Sequence, residues 1–287
     1  MRRPTRIADY RCHTGEGPLW HPDEERLYWV DIPNGRLYRY DPATGEHERC
    51  YETDVIGGFT VQADGSLLLF EDRGHIELWD GGSVRTVLEE LPAERDSRFN
   101  DVIADPRGRV FCGTMPTDDR LGRLYRLDLD GTIVELRDDV RLPNGFGFTL
   151  DRRHLYFTES EAKKIYRFEY DQATGDIDDR ETFVDLAGEP GIPDGMTVDA
   201  EGYVWSAHWD GGCLVRYDRT GAEVERLEFP ARKVSSVTFG DADYDVAYVT
   251  TALTDSSREQ EGEGAGSLYR IDLDVTGVPE FRSRIRV

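Results

Sequence analysis

Ile192-Pro193-Asp194-Gly195-Met196-Thr197-Val198-Asp199-Ala200-Glu201-Gly202-Tyr203-Val204-Trp205 reads as turn, strand, acidic turn and strand, and the same order recurs along the whole chain. Counting back ten residues from Val204 reaches Asp194, and the same count from Val110 in Asp105-Pro106-Arg107-Gly108-Arg109-Val110-Phe111 reaches Asn100. Where the turn is one residue longer, eleven residues back from Leu27 stands Glu16, and eleven back from Leu155 stands Asn144. Four equivalent positions therefore carry oxygen-bearing side chains.

Further along each unit comes a third strand in which apolar and polar residues alternate up to an acid. The copies are Arg36-Leu37-Tyr38-Arg39-Tyr40-Asp41, His75-Ile76-Glu77-Leu78-Trp79-Asp80, Arg123-Leu124-Tyr125-Arg126-Leu127-Asp128, Lys164-Ile165-Tyr166-Arg167-Phe168-Glu169, Cys213-Leu214-Val215-Arg216-Tyr217-Asp218 and Ser267-Leu268-Tyr269-Arg270-Ile271-Asp272. Their spacing, about 40 to 54 residues, is the period of a four-stranded blade and too long for a leucine-rich repeat. Six copies predict an all-β, six-bladed β-propeller occupying residues 1–287 as one domain. First strands are expected to begin at Glu16, Gly57, Asn100, Asn144, Asp194 and Ser236, and outer strands at places such as 46–51 and 223–228. Because blade 1 begins only near Gly15, residues 6–10 are free to close the ring as the outer strand of blade 6; residues 281–287 are the competing candidate. The acidic, Gly-rich insert 256–266 reads as a solvated loop rather than a lid.

Asp+Glu 58 against Lys+Arg 35 gives a net charge of -23, which excludes nucleic acid and anionic membranes as partners, both being polyanions. Lysine occurs only at Lys163, Lys164 and Lys233, so 32 of the 35 basic side chains are arginine. An acid-rich, lysine-poor surface is the composition of a halophile's protein, since carboxylates hold water where salt screens their repulsion. Cys12, Cys50, Cys112 and Cys213 form no Cys-x-x-Cys pair, so neither a zinc site nor a redox dithiol is indicated. The basic start, Met1 to Arg6, leads into no apolar run, and the expectation is a soluble, cytoplasmic chain.

In a propeller the first strands line a central channel, so residues at one offset point to one axis at one depth. Glu16, Asn144 and Asp194 together offer two carboxylates and an amide oxygen without Cys or His, a donor set for a hard divalent cation completed by water. The competing reading is that each bonds only the amides of its own turn. Gly57 and Ser236 at the equivalent places predict a ring open on two sides, through which a substrate could pass. Arg98, two residues before Asn100, is expected at the rim, holding a ligand oxygen with its guanidinium or else pairing with a surface carboxylate. His208, at the end of a second strand, is expected to pack under a loop, since nothing pairs it with a nucleophile. There is no Gly-x-Ser-x-Gly elbow, so no serine nucleophile is indicated.

Gly15-Glu16-Gly17-Pro18-Leu19-Trp20, Arg98-Phe99-Asn100-Asp101 with Gly113-Thr114-Met115, Asn144-Gly145, and Pro193-Asp194-Gly195-Met196 with Asp199-Ala200-Glu201-Gly202 resemble the regucalcin and gluconolactonase family, of the senescence marker protein type, in order and spacing from about Arg11 to Gly277. The resemblance implies hydrolysis of a sugar lactone to an aldonic acid by a monomer. Glu16, Asn144 and Asp194 match the family's ligands to one divalent metal, whether Ca²⁺, Mg²⁺, Mn²⁺, Zn²⁺ or Fe²⁺. Arg98 and Asn100 match residues that hold the lactone, and Asp194 is the family's proposed proton acceptor. Three residues after Gly-Thr-Met the family's substrate-contacting glutamate is replaced by Asp118, one methylene shorter, which bears on substrate identity. The competing expectations are a calcium-binding regulatory or scaffold propeller without turnover, and a metal-dependent phosphotriester hydrolase.

Overall fold

The computed structural model describes residues 3–286. Its strands form six four-stranded antiparallel sheets, arranged as a six-bladed β-propeller. Innermost to outermost, blade 1 is Gly15–His21, Arg26–Asp31, Arg36–Tyr40 and His47–Glu52. The innermost strands of blades 2 to 6 are Gly58–Val61, Phe99–Ala104, Pro143–Phe148, Ile192–Val198 and Lys233–Gly240. The sixth sheet takes its outer strand from the other end of the chain: Thr5–Asp9 pairs antiparallel with Ser267–Asp272, with Thr5 opposite Arg270 and Asp9 opposite Ser267.

The core lies in six wedges between neighbouring blades. Tyr28, Val30 and Leu37 of blade 1 pack on Phe59, Leu67 and Leu69 of blade 2, and Trp205, Leu214 and Phe239 join blades 5 and 6 in the same way. These are the apolar positions of the second and third strands, which alternate between the two faces of each sheet and so serve both neighbours. The acidic turns are closed by their own carboxylates. Asp199 Oδ1 accepts the amides of Glu201 and Tyr203, and its Oδ2 accepts from Trp205 Nε1 at 3.0 Å and Arg216 Nε at 2.9 Å. Asp105 does the same for the amides of Arg107 and Arg109.

Residues beyond Gly277 have a different task from ring closure. The tail crosses the lower face, where first strands end: Gly277 bridges to Asp199 of blade 5, and Ser283 to Gln62 of blade 2. Ile285 is buried against Leu68 and Val110, and Phe281 meets Phe148 edge to face. A run with apolar residues at every second or third place can be claimed by any exposed apolar surface, and here the floor of the channel claims it; Val287 lies outside the described residues.

The 256–266 insert is not wholly solvated either. Arg258–Glu261 forms one helical turn, and Glu261, buried, takes Lys233 Nζ at 2.6 Å. Its carbonyl accepts the Arg232 amide, so one of the three lysines ties the insert down onto blade 6.

Candidate active site

Glu16, Asn100, Asn144 and Asp194 are all buried at the upper ends of the first strands of blades 1, 3, 4 and 5. In each of these four strands the pairing register slips at or just beside the residue: between Glu16 and Leu19, Phe99 and Val102, Asn144 and Phe146, and Pro193 and Met196. Such bulges re-aim side chains that a regular pleat would send alternately to opposite faces. Gly17, at φ 52°, supplies the left-handed residue of the first bulge, and its amide returns to Glu16 Oε2 at 2.9 Å. Blade 2, with Gly57 at the equivalent place, pairs in unbroken register.

The amides are held by a chain of bonds across three blades. Arg98 Nη1 donates to Asn100 Oδ1 and to the Phe99 carbonyl, both at 2.8 Å. Asn100 Nδ2 donates to the Pro143 carbonyl at 2.8 Å and to Asn144 Oδ1. Asn144 Nδ2 donates to Ser160 Oγ at 2.7 Å, and Ser160 Oγ to the Pro193 carbonyl at 2.6 Å. The Asn144 amide is thereby fixed with its oxygen on the Asn100 side. Both hydrogens of Asn100 Nδ2 are used within the protein, leaving it one lone pair on Oδ1 to offer a ligand.

Asp101 joins this group, although its place in the strand pointed elsewhere. The bulge between Phe99 and Val102 lets Asn100 and Asp101, neighbours in sequence, both serve the axis, and Asp101 lines the axial cavity of about 80 Å³. Burial, then the charge of Asp101, holds the Glu16 carboxyl well above the usual range, while the Gly17 amide and Arg98 oppose the shift. Burial followed by Glu16 and Asp101 does the same to Asp194. Burial lifts Asp101 to about 7 against the pull of Arg98, and lowers Arg98 to about 10 against the pull of Asp101 and Glu16. Glu16 and Asp101 thus face the Arg98 guanidinium, and Asp194 faces those two acids. That excess of buried negative charge, with the Asn144 oxygen beside it and no sulfur or imidazole, is a donor set that fits a divalent cation.

One expectation changes. The ring has no gap at Gly57 or Ser236: a Cβ on Gly57 would stand 2.1 Å from the Phe99 carbonyl oxygen, and one on Gly195 would stand 2.1 Å from Ser236 Oγ. Small residues there allow adjacent first strands to close on one another, so they mark contact between blades. The tail residues Glu280 and Phe281 line the same axial cavity. Asp118 is exposed in the loop beyond Val110–Thr114, and no bond joins it to the buried group among the described residues. His208 is buried beside Tyr217, its Nε2 3.2 Å from the phenol oxygen, and burial lowers it to about 4. No described helix is long and apolar enough to cross a membrane.

Residues 14–253 match the SMP-30/Gluconolactonase/LRE-like region. The chain is 53% identical over 289 residues to pentonolactonase XacC of Haloferax volcanii, the match covering 99% of each. It is 33% identical over 276 residues to regucalcin of Xenopus laevis, covering 92% of each. Among solved structures, a calcium-binding protein, regucalcin, of Agrobacterium tumefaciens superposes with a TM-score of 0.91 at 25% identity, over 98% of this chain and 97% of that one.

Proposed function

The chain belongs to the SMP-30/gluconolactonase/LRE-like family, and from that premise we propose that it is a metal-dependent sugar lactone hydrolase, opening a pentono- or gluconolactone to its aldonic acid. The observation that carries the reading is the cluster of Glu16, Asp101 and Asp194, with Arg98 beside the first two, at the ends of the innermost strands. The pentonolactonase relative, similar over nearly the whole chain, supports the substrate class.

Glu16, Asn144 and Asp194 are the residues that would hold the cation. When bound, a divalent cation supplies Lewis acidity toward a lactone carbonyl and its developing oxyanion. The remaining work falls to the protein. Asp194, whose proton affinity is raised by burial and by its two acidic neighbours, accepts the proton of the attacking water. Arg98 spends one nitrogen on Asn100 and Phe99 and keeps its other N–H groups for lactone oxygens. Asn100 mainly positions Arg98 and Asn144, and its free lone pair accepts from one sugar hydroxyl.

Proton release on xylono-, arabinono-, galactono- and gluconolactone, followed in high-salt buffer with and without EDTA, tests the proposal. Turnover that EDTA abolishes and a divalent cation restores is expected. If no metal raises hydrolysis above the spontaneous rate while calorimetry still registers a bound cation, the protein is a binding propeller instead.

A further inference from the structure

Blade 2 departs from the other five in its third strand. Where Tyr38, Tyr125, Tyr166, Val215 and Tyr269 stand elsewhere, it carries Glu77, only 7% exposed. Across the turn lie Glu71, 5% exposed at the end of Leu67–Phe70, and His75, whose side chain is 22% exposed and gives the group a path to solvent. One ligand atom from each of Glu71, His75 and Glu77 lies within 4.8 Å of the others, and no other three His, Cys, Asp or Glu among the described residues are grouped so closely.

The surroundings orient these atoms. His75 Nδ1 is 3.0 Å from the Glu89 carbonyl oxygen, which can only accept, so Nδ1 carries hydrogen and the neutral ring presents the Nε2 lone pair. Nε2 lies 3.6 Å from Glu77 Oε2. Tyr51 Oη donates to the other oxygen of Glu77 at 2.6 Å and so fixes that carboxylate. Glu71 Oε1, although buried, has no hydrogen-bond partner among the described residues.

We propose that Glu71, His75 and Glu77 form a second divalent-cation site, on blade 2 and separate from the axial cluster, whose imidazole nitrogen selects Zn²⁺, Mn²⁺ or Fe²⁺ over Ca²⁺ and Mg²⁺. Two carboxylates and one imidazole leave a position open to water, and the Tyr51 and Glu89 bonds are the outer shell such ligands use. The turn is also stitched to the segment leading to Arg98: the Phe99 amide donates to the Glu71 carbonyl at 2.9 Å, and the Arg73 amide to the Ser97 carbonyl at 2.7 Å. A cation here would stiffen the strand that carries Arg98 and Asn100. The inference does not depend on lactone hydrolysis.

The test loads EDTA-treated full-length protein with Mn²⁺ and records electron spin echo envelope modulation. Glu16, Asn144 and Asp194 offer no imidazole, so strong ¹⁴N modulation reports blade 2 whatever happens on the axis. Modulation is expected in the native protein and is expected to vanish in His75→Ala. Glu71→Gln removes one carboxylate ligand while keeping the shape of the side chain, and is expected to weaken Mn²⁺ binding at this site by more than the roughly 10–100-fold that outer-shell changes cost. Native protein without modulation, modulation that persists in His75→Ala, or Glu71→Gln with native affinity would each overturn the proposal.

Discussion

Ser235 of blade 6 donates its hydroxyl to the carbonyl oxygen of Gly15 in blade 1 at 2.5 Å, and Gly15 is the residue immediately before Glu16. The same relationship recurs twice around the axis. Asn100 of blade 3 donates to Pro143, which precedes Asn144, and Ser160 of blade 4 to Pro193, which precedes Asp194. Each proposed ligand is thus held through its preceding carbonyl by a side chain of the blade before it. The ring sets the geometry of its centre through bonds between blades, which a single blade could not do alone.

Ser160→Ala removes both the bond to Pro193 and the acceptor of Asn144 Nδ2. Divalent-cation affinity on the axis is expected to fall about 10–100-fold, and folding stability by about 1–3 kcal/mol because two buried partners are orphaned. Calorimetric titration with Mn²⁺ and urea denaturation measure the two effects separately. Unchanged affinity would show that the Asn144 amide needs no support.

Asp194→Ala and Arg98→Ala are expected to fail differently. The first removes a ligand and the proton acceptor, and loses both cation and turnover. The second keeps the cation and raises KM by about 10–100-fold, the worth of a charged hydrogen bond to substrate. Steady-state kinetics beside metal analysis separate them, and an Asp194→Ala enzyme with full turnover would remove the mechanism.

Gly57→Ala tests the packing of blade 2 on blade 3. Its Cβ would stand 2.1 Å from the Phe99 carbonyl oxygen and 3.2 Å from the Asn100 amide nitrogen, both backbone atoms that cannot swing away. A loss of about 1–3 kcal/mol or more is expected in denaturant unfolding. If the ring were open at this point, the substitution would be neutral.

Glu280 lines the floor of the axial cavity and accepts from Thr197 Oγ1 at 3.1 Å. Burial raises its carboxyl from an ordinary 4.5 to about 7, and the Thr197 bond only partly offsets this. Between those two values the folded protein binds the proton that the unfolded chain has released. Its contribution to stability is therefore lost as pH rises from 4.5 to about 7. Glu280→Gln is expected to flatten that slope in melts recorded across the window; an unchanged slope would show that Glu280 stays ionised.

The propeller was legible in the six third strands, because alternation and turn residues are local properties that each blade repeats for itself. Glu16, Asn100, Asn144 and Asp194 were legible too, since a constant distance from the second strand places each at one end of an innermost strand. Asp101 was not. Strict alternation sends it away from Asn100, and only the bulge between Phe99 and Val102 brings both to the axis. Gly57 and Ser236 were read as gaps because sequence shows the size of a residue and not what stands beside it.

Sequence by itself determined the number of blades, the offset of the polar ring and the acidic excess, all of which depend on spacing and composition within single units. Tertiary structure alone decided that the tail floors the channel, that Ser160 and Ser235 brace the proposed ligands of neighbouring blades, and that Glu71, His75 and Glu77 converge on blade 2. These depend on which backbones meet across the ring and on how a bulge or turn aims a side chain, and no count along the chain carries that information.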